Sequence, residues 1–147
     1  MTENPKTPLV ERVLPSKASF VLPFLLGLGL FAVFYPIVGN LSYLVAVPGA
    51  LLTLWLMWTA APVIKVDETT LQVGNARIER KYLGEVRAVS SEESFSERGP
   101  KLNARAFTKF QPSVKTLVKV EVKDPNDPTP YWLFSSRRGA EIVDRLS

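Results

Sequence analysis

Hydrophobic and polar positions divide this chain sharply. From Ala18 to Ile64, 47 residues pass without an Asp, Glu, Lys or Arg. At 22% charged residues overall, about ten would be expected in such a window. A helix that spans a bilayer takes about 20 apolar residues, so the block has room for two helices and a turn. The pattern predicts one helix from about Ser19 to Tyr35 and another from about Ser42 to Ala61. Pro36, Gly39 and Asn40 between them are turn formers. Pro36 has no backbone N–H and is expected to close the first helix. Asn40 or Ser42 is placed to cap the second, and Pro62 to end it. One long soluble helix fits neither the length nor the breakers in the middle. A cleaved signal peptide fits neither the late start nor the second apolar run.

Beyond Lys65 the period changes to two. Ile64 and Val66, then Leu71 and Val73, alternate with polar residues across Asp67–Thr70, which predicts a β-hairpin. Gly74-Asn75 makes the next turn into Ala76–Ile78, and Val86–Val89 reads as a further strand. Ser90–Asn103 is rich in Ser, Glu, Gly and Pro and reads as a long loop. Leu117–Val122 is the clearest strand, with Val118, Val120 and Val122 on one side and Lys119, Glu121 and Lys123 on a wet face. A proline-stiffened turn, Asp124–Pro130, leads to a strand at Tyr131–Ser135. Ser135 or Ser136 can cap a final helix, Gly139–Leu146, with Ile142, Val143 and Leu146 as its buried stripe. The expected fold is therefore α+β. A tail (1–17) precedes a transmembrane hairpin (18–64), and a small antiparallel β domain with a C-terminal helix (65–147) follows.

Charge orients this plan. Lys6, Arg12 and Lys17 precede the apolar block, 15 basic and 12 acidic residues follow it, and the connecting loop has no charge. The positive-inside rule then places both termini in the cytoplasm of a multi-pass plasma-membrane protein. Trp55 and Trp58 late in the second span fit an aromatic belt, with Tyr35 and Tyr43 at the other interface. Gly27 and Gly29 are expected to thin one face of the first helix for close helix packing.

Candidate chemistry is sparse. The chain has no Cys and no His, which removes disulfides, thiol nucleophiles and the commonest general base and metal ligand. No phosphate-binding loop, dinucleotide fingerprint or nucleophile elbow occurs. No catalytic residue, metal ligand set or cofactor is expected, and Glu92 with Glu93 reads as wet surface. Asp124 and Asp127 lack the spacing of a calcium loop and read as part of a rigid turn. Contact residues are sought instead. Lys65, Arg77, Arg80 and Lys81 follow the membrane exit, where basic residues are attracted to anionic lipid. Arg137 and Arg138 open a helix, where the dipole disfavours cations; they read as solvent-exposed, or else as held by a lipid headgroup, a partner carboxylate or a phosphate. Tyr131 and Trp132 close the distinctive Asp124–Trp132 segment. Arg98, Lys101 and Arg105 with Phe107 and Phe110 form a basic and aromatic group suited to docking. A net charge of +4 with many acids argues against nucleic acid.

Strands closed by one C-terminal helix resemble a bacterial pleckstrin-homology-like domain over about Val63–Ser147. Three further motifs carry a closer resemblance. They are Val66-Asp67 with Leu71–Gly74, Arg98–Asn103 with Ala106-Phe107, and Asp124–Leu133 followed by Ser135–Arg138. With the two upstream spans, these look like the actinobacterial membrane family called domain of unknown function 3093. That resemblance implies a topology and no chemistry. The expected role is a non-catalytic accessory subunit of a larger membrane complex, such as a respiratory-chain or cell-envelope assembly. The alternative is a tethered module that binds lipid headgroups or a peptide.

Overall fold

The structure is a computed structural model that describes residues 7–147. In chain order its elements are β1 (Leu9–Arg12), α1 (Val21–Val38), α2 (Tyr43–Ala60), β2 (Val63–Val66), β3 (Thr70–Val73), β4 (Ala76–Glu79) and β5 (Leu83–Val89). There follow α3 (Ser91–Arg98), β6 (Phe107–Lys109), β7 (Leu117–Val122), β8 (Tyr131–Ser135) and α4 (Gly139–Leu146). They form two compact units. One is Leu14–Ala61; the other joins the N-terminal strand to everything from Pro62 onward.

The helical unit is apolar on every side. Helices α1 and α2 are joined by a 3-10 turn, Gly39–Ser42. They pack antiparallel, with Gly27 against Ala50 and Leu30 against Gly49. Only Pro23 in α1 and Ala46 in α2 are buried. Helix α1 runs through Pro36 to Val38, beyond the expected stop. Pro36 forfeits one backbone hydrogen bond without ending the helix. The break falls at Gly39, whose φ of 59° suits a residue without Cβ. Neither Asn40 nor Ser42 caps α2 through its side chain; the Ser42 hydroxyl donates back to the Gly39 carbonyl instead. By length and composition, Lys17–Ala60, taken as one continuous helical stretch, could cross a membrane.

The other unit holds two four-stranded sheets, ordered β1-β2-β3-β4 and β5-β7-β8-β6. All pairings are antiparallel except β6 with β8. Leu9, Ile64, Leu71 and Ile78 of the first sheet meet Val118, Val120 and Phe134 of the second, and Ile142 of α4 closes the same core. The period-two stretches form strands because alternation puts every second side chain on this inner face. Gly74 at φ 61° makes the tight turn between β3 and β4.

Three elements depart from the sequence reading. Residues 9–12 are not tail but the edge strand of the first sheet; the part of the expected tail at 1–6 lies outside the described residues. Residues 91–98, expected in a loop, form α3, with the Ser90 hydroxyl accepting from the Glu93 N–H. Strand β6 also arises in a stretch not expected to pair. The outer face of β7 is therefore not simply wet. Leu117 joins Val89 and Leu133 in a second small core, and Lys119 is half-buried.

Candidate functional site

The first sheet presents a basic row on its outer face. Cross-strand register aligns Lys65 with Gln72 and Gln72 with Arg77. Inward neighbours Ile64, Val66 and Ile78 force these residues out, because alternate side chains point to opposite faces. Lys65 and Arg77 are exposed, and Arg12 lies on the same side of β1. Lys65 sits five residues beyond the last residue of α2, and Arg12 nine residues before the first of α1.

The other two residues expected in this collar turn elsewhere. Arg80 donates to the Arg145 carbonyl at 2.6 Å and to the Glu68 carbonyl at 3.4 Å. It neutralises the C-terminal end of α4, where the helix dipole favours a cation. Lys81 pairs with Glu79 at 2.8 Å and lies over the Tyr82 ring. The hydrogen bond that Lys81 donates to Glu79 raises the Lys81 pKa.

Arg138 finds its anion within the chain, whereas Arg137 meets a carboxylate only through its backbone N–H and its side chain is exposed. Arg138 forks onto Glu141 through two bonds of 2.7 Å, which raises its pKa. The Arg137 backbone N–H donates to the Glu11 carboxylate at 2.9 Å. The other Glu11 oxygen accepts from the Ser136 hydroxyl at 2.5 Å. Ser136 also accepts from the Arg138 N–H, so it organises the turn into α4 without capping the helix from its N-cap position.

The remaining candidates separate. Trp132 is only 5% exposed and stacks on Phe107 at 4.7 Å, so it is core and not a free contact residue. Tyr131 is half-buried; its hydroxyl accepts from the Asn103 N–H at 2.8 Å, and Lys119 lies over its ring. Arg98 turns inward onto the Val114 carbonyl and Phe110, and burial lowers its pKa. With Phe107 on Trp132, the expected basic and aromatic group is not one surface. Gly27 and Gly29 do not share a face. A Cβ on Gly27 would meet Ala50 at 3.3 Å, whereas one on Gly29 would meet nothing within 4 Å. Residues two apart on a helix point in nearly opposite directions. The close partner of this packing is Gly49, under Leu30. Trp55 and Trp58 are exposed in the second half of α2.

Asp124 and Asp127 accept from Asn126 and Thr129 N–H groups at 2.9 Å, the side-chain turns expected of a rigid corner. The bonds to Thr129 lower the Asp127 pKa. Among the described residues no group of three or more acids could hold a metal ion.

Sequence reasoning passed over two buried carboxylates. Glu97 of α3 accepts from Lys119 at 2.8 Å and from Arg87 at 2.9 Å. These bonds, that from Lys119 first, lower its pKa against the opposing effect of burial. Ser90 followed by Glu93 is the capping signature that could have revealed this helix. Glu11 carried no such signal, because its partners lie 125 and 126 residues away.

This architecture defines a small α+β protein with an apolar helical hairpin. The chain belongs to the family described as Protein of unknown function (DUF3093), whose pattern it matches over residues 9–146. No curated protein and no solved structure matches it.

Proposed function

We propose that this protein crosses the membrane twice and serves as a non-catalytic accessory subunit of a membrane protein complex. The observation that carries the anchor is the β1–β2 ladder. Arg12 pairs with Val63 and Leu9 with Val66, and the Val13 N–H donates to the Pro62 carbonyl at 2.9 Å. The chain before and after the hairpin is thus hydrogen-bonded together, so it leaves and returns on one side of any membrane. A 44-residue helical stretch broken at Gly39–Ser42 then fits two crossings.

Two other readings of an apolar helix fit poorly. A soluble core helix is buried, whereas Phe24, Ile37 and Trp55 are 69%, 74% and 60% exposed. So much exposed apolar surface calls for lipid or a partner. A signal sequence is cut off, and cleavage after the apolar stretch would strip β1 from its sheet and Leu9 and Val13 from the core. Basic residues on both flanks support cytoplasmic termini. Hairpin faces without a neighbour among the described residues support a role beside other membrane proteins.

A second reading has its own support. The exposed row of Lys65 and Arg77, continuous with the strands that lead to the spans, suits anionic headgroups. Two sheets closed by a C-terminal helix also suit a pleckstrin-homology-like module.

The chain has no cysteine, so single substitutions report topology cleanly. Asn40→Cys should react with an impermeant thiol reagent only from outside intact cells, and Lys65→Cys only after the membrane is opened. The same side for both would overturn the two-span anchor. Purification in mild detergent tests the accessory role. A protein that elutes with no stoichiometric companion under any extraction would overturn it.

A further inference from the structure

Strand β4 ends the first sheet and pairs, among the described residues, only with β3. The direction of its free backbone groups follows from register. Val73 and Ala76 close the two-residue turn, and the Arg80 N–H donates to the Thr69 carbonyl at 2.8 Å. Hydrogen-bonded pairs alternate along an antiparallel ladder, so they fall at 73/76, 71/78 and 69/80. The N–H and C=O groups of Arg77 and Glu79 therefore point away from β3. An open cavity of about 510 Å³ runs beside this edge, with Arg77, Ile78 and Glu79 on one wall and Asp124 and Asp127 among its other lining residues. An open edge is a template for another strand.

We propose that this edge pairs antiparallel with β4 of a second copy of the chain, about a two-fold axis through Ile78. Charge selects both occupant and register. An axis through Arg77 would set Arg77 against Arg77. An axis through Glu79 would set Glu79 against Glu79 and Arg77 against Lys81. An axis through Ile78 sets Arg77 of each copy opposite Glu79 of the other, with both pairs at hydrogen-bonding positions. Four backbone hydrogen bonds and two cross-strand ion pairs result. Opposite charges facing across a ladder attract, and like charges repel. Arg77 has no ion-pair partner among the described residues, and Glu79 has only the exposed pair with Lys81, which is easily exchanged. The interface is self-complementary, as a two-fold dimer requires.

The test uses full-length protein in detergent and in vesicles. Ile78→Cys places two thiols across a non-hydrogen-bonded pair, with Cα atoms about 4.5 Å apart, within disulfide reach. It should cross-link on oxidation, whereas Lys109→Cys should not. Arg77→Glu or Glu79→Lys should each weaken the dimer roughly tenfold or more, and the double swap should restore it, because the charges then oppose again. A protein that stays monomeric at every density overturns the proposal. So does a dimer indifferent to the single swaps, or a folded double swap that remains monomeric. If Ile78→Cys does not fold, the charge series decides alone.

Discussion

Glu11 and Ser136 lie 125 residues apart in sequence and share a buried hydrogen bond of 2.5 Å. Glu11 belongs to the strand that precedes the apolar hairpin, and Ser136 to the turn that begins α4. The same carboxylate holds the Arg137 N–H. Gln111 donates to the Val13 carbonyl and Arg145 to the Thr7 carbonyl at 2.6 Å, so three distant segments fasten the N-terminal strand.

Glu11→Ala should therefore lower stability by about 1–3 kcal/mol, because it leaves a buried hydroxyl and a part-buried N–H without an acceptor. Glu11→Gln should cost less, since its amide oxygen can replace one acceptor. Thermal unfolding in detergent measures both, and limited proteolysis should show the N-terminal strand released first.

Glu97 makes a pH prediction. Its folded pKa lies below the ordinary value of 4.5, held there chiefly by Lys119. A depressed carboxylate contributes stability that is present above its unfolded pKa and lost as pH falls through the folded one. Helix α3 should thus loosen at pH below about 4.5. Protection of the amides of residues 91–98, corrected for the intrinsic pH dependence of exchange, should fall there in the native protein. In Glu97→Gln that protection should already be lower near neutral pH and change little with acid.

The two glycines of α1 should respond differently. Gly29→Leu faces open space and should leave the hairpin intact, whereas Gly27→Leu must push Ala50 aside. Gly49→Ala should cost little, because a Cβ there would meet only the Leu30 Cδ1, the end of a side chain that can rotate away. Thermal unfolding of detergent-solubilised protein separates the cases. Equal effects at Gly27 and Gly29 would sink this account of the packing.

The basic residues after the helical hairpin should also divide by role. Lys65→Glu should leave unfolding unchanged, because its side chain is exposed. If headgroups bind there, this substitution should weaken retention of anionic lipid during purification. Arg80→Ala should instead lower stability by about 1–3 kcal/mol, through the lost charged bond to the α4 terminus. Mass spectrometry of co-purified lipid, beside unfolding curves, tells these apart.

How much of this was legible in the sequence depended on how local each signal was. The apolar block, the alternation at Ile64–Val73 and Leu117–Val122, and the final helix are periodic over several residues and were readable. Strand β1 was not, because four residues, Leu9–Arg12, become a strand only by pairing with a segment more than fifty residues on. Helix α3 is mostly polar, so its capping residues were the sole local clue. Trp132 looked like a contact residue because tryptophan near a polar turn often is one. Only Phe107, arriving on a strand parallel to β8, shows that it is buried. Arg138 drew attention as a cation at a helix start, and the answer, Glu141, lay three residues away.

The β1–β2 ladder also bears on how such a chain is made. Synthesis delivers Leu9–Arg12 first, and its ladder partner is not translated until the whole apolar hairpin has followed. The first sheet cannot be completed before then. In a two-span protein, a hairpin that threaded only once would strand Leu9, Glu11 and Val13 across the bilayer from their sites in the domain. If the hairpin crosses a membrane twice as proposed, completing the first sheet would report correct insertion, and misthreaded chains would be left with an unfilled core.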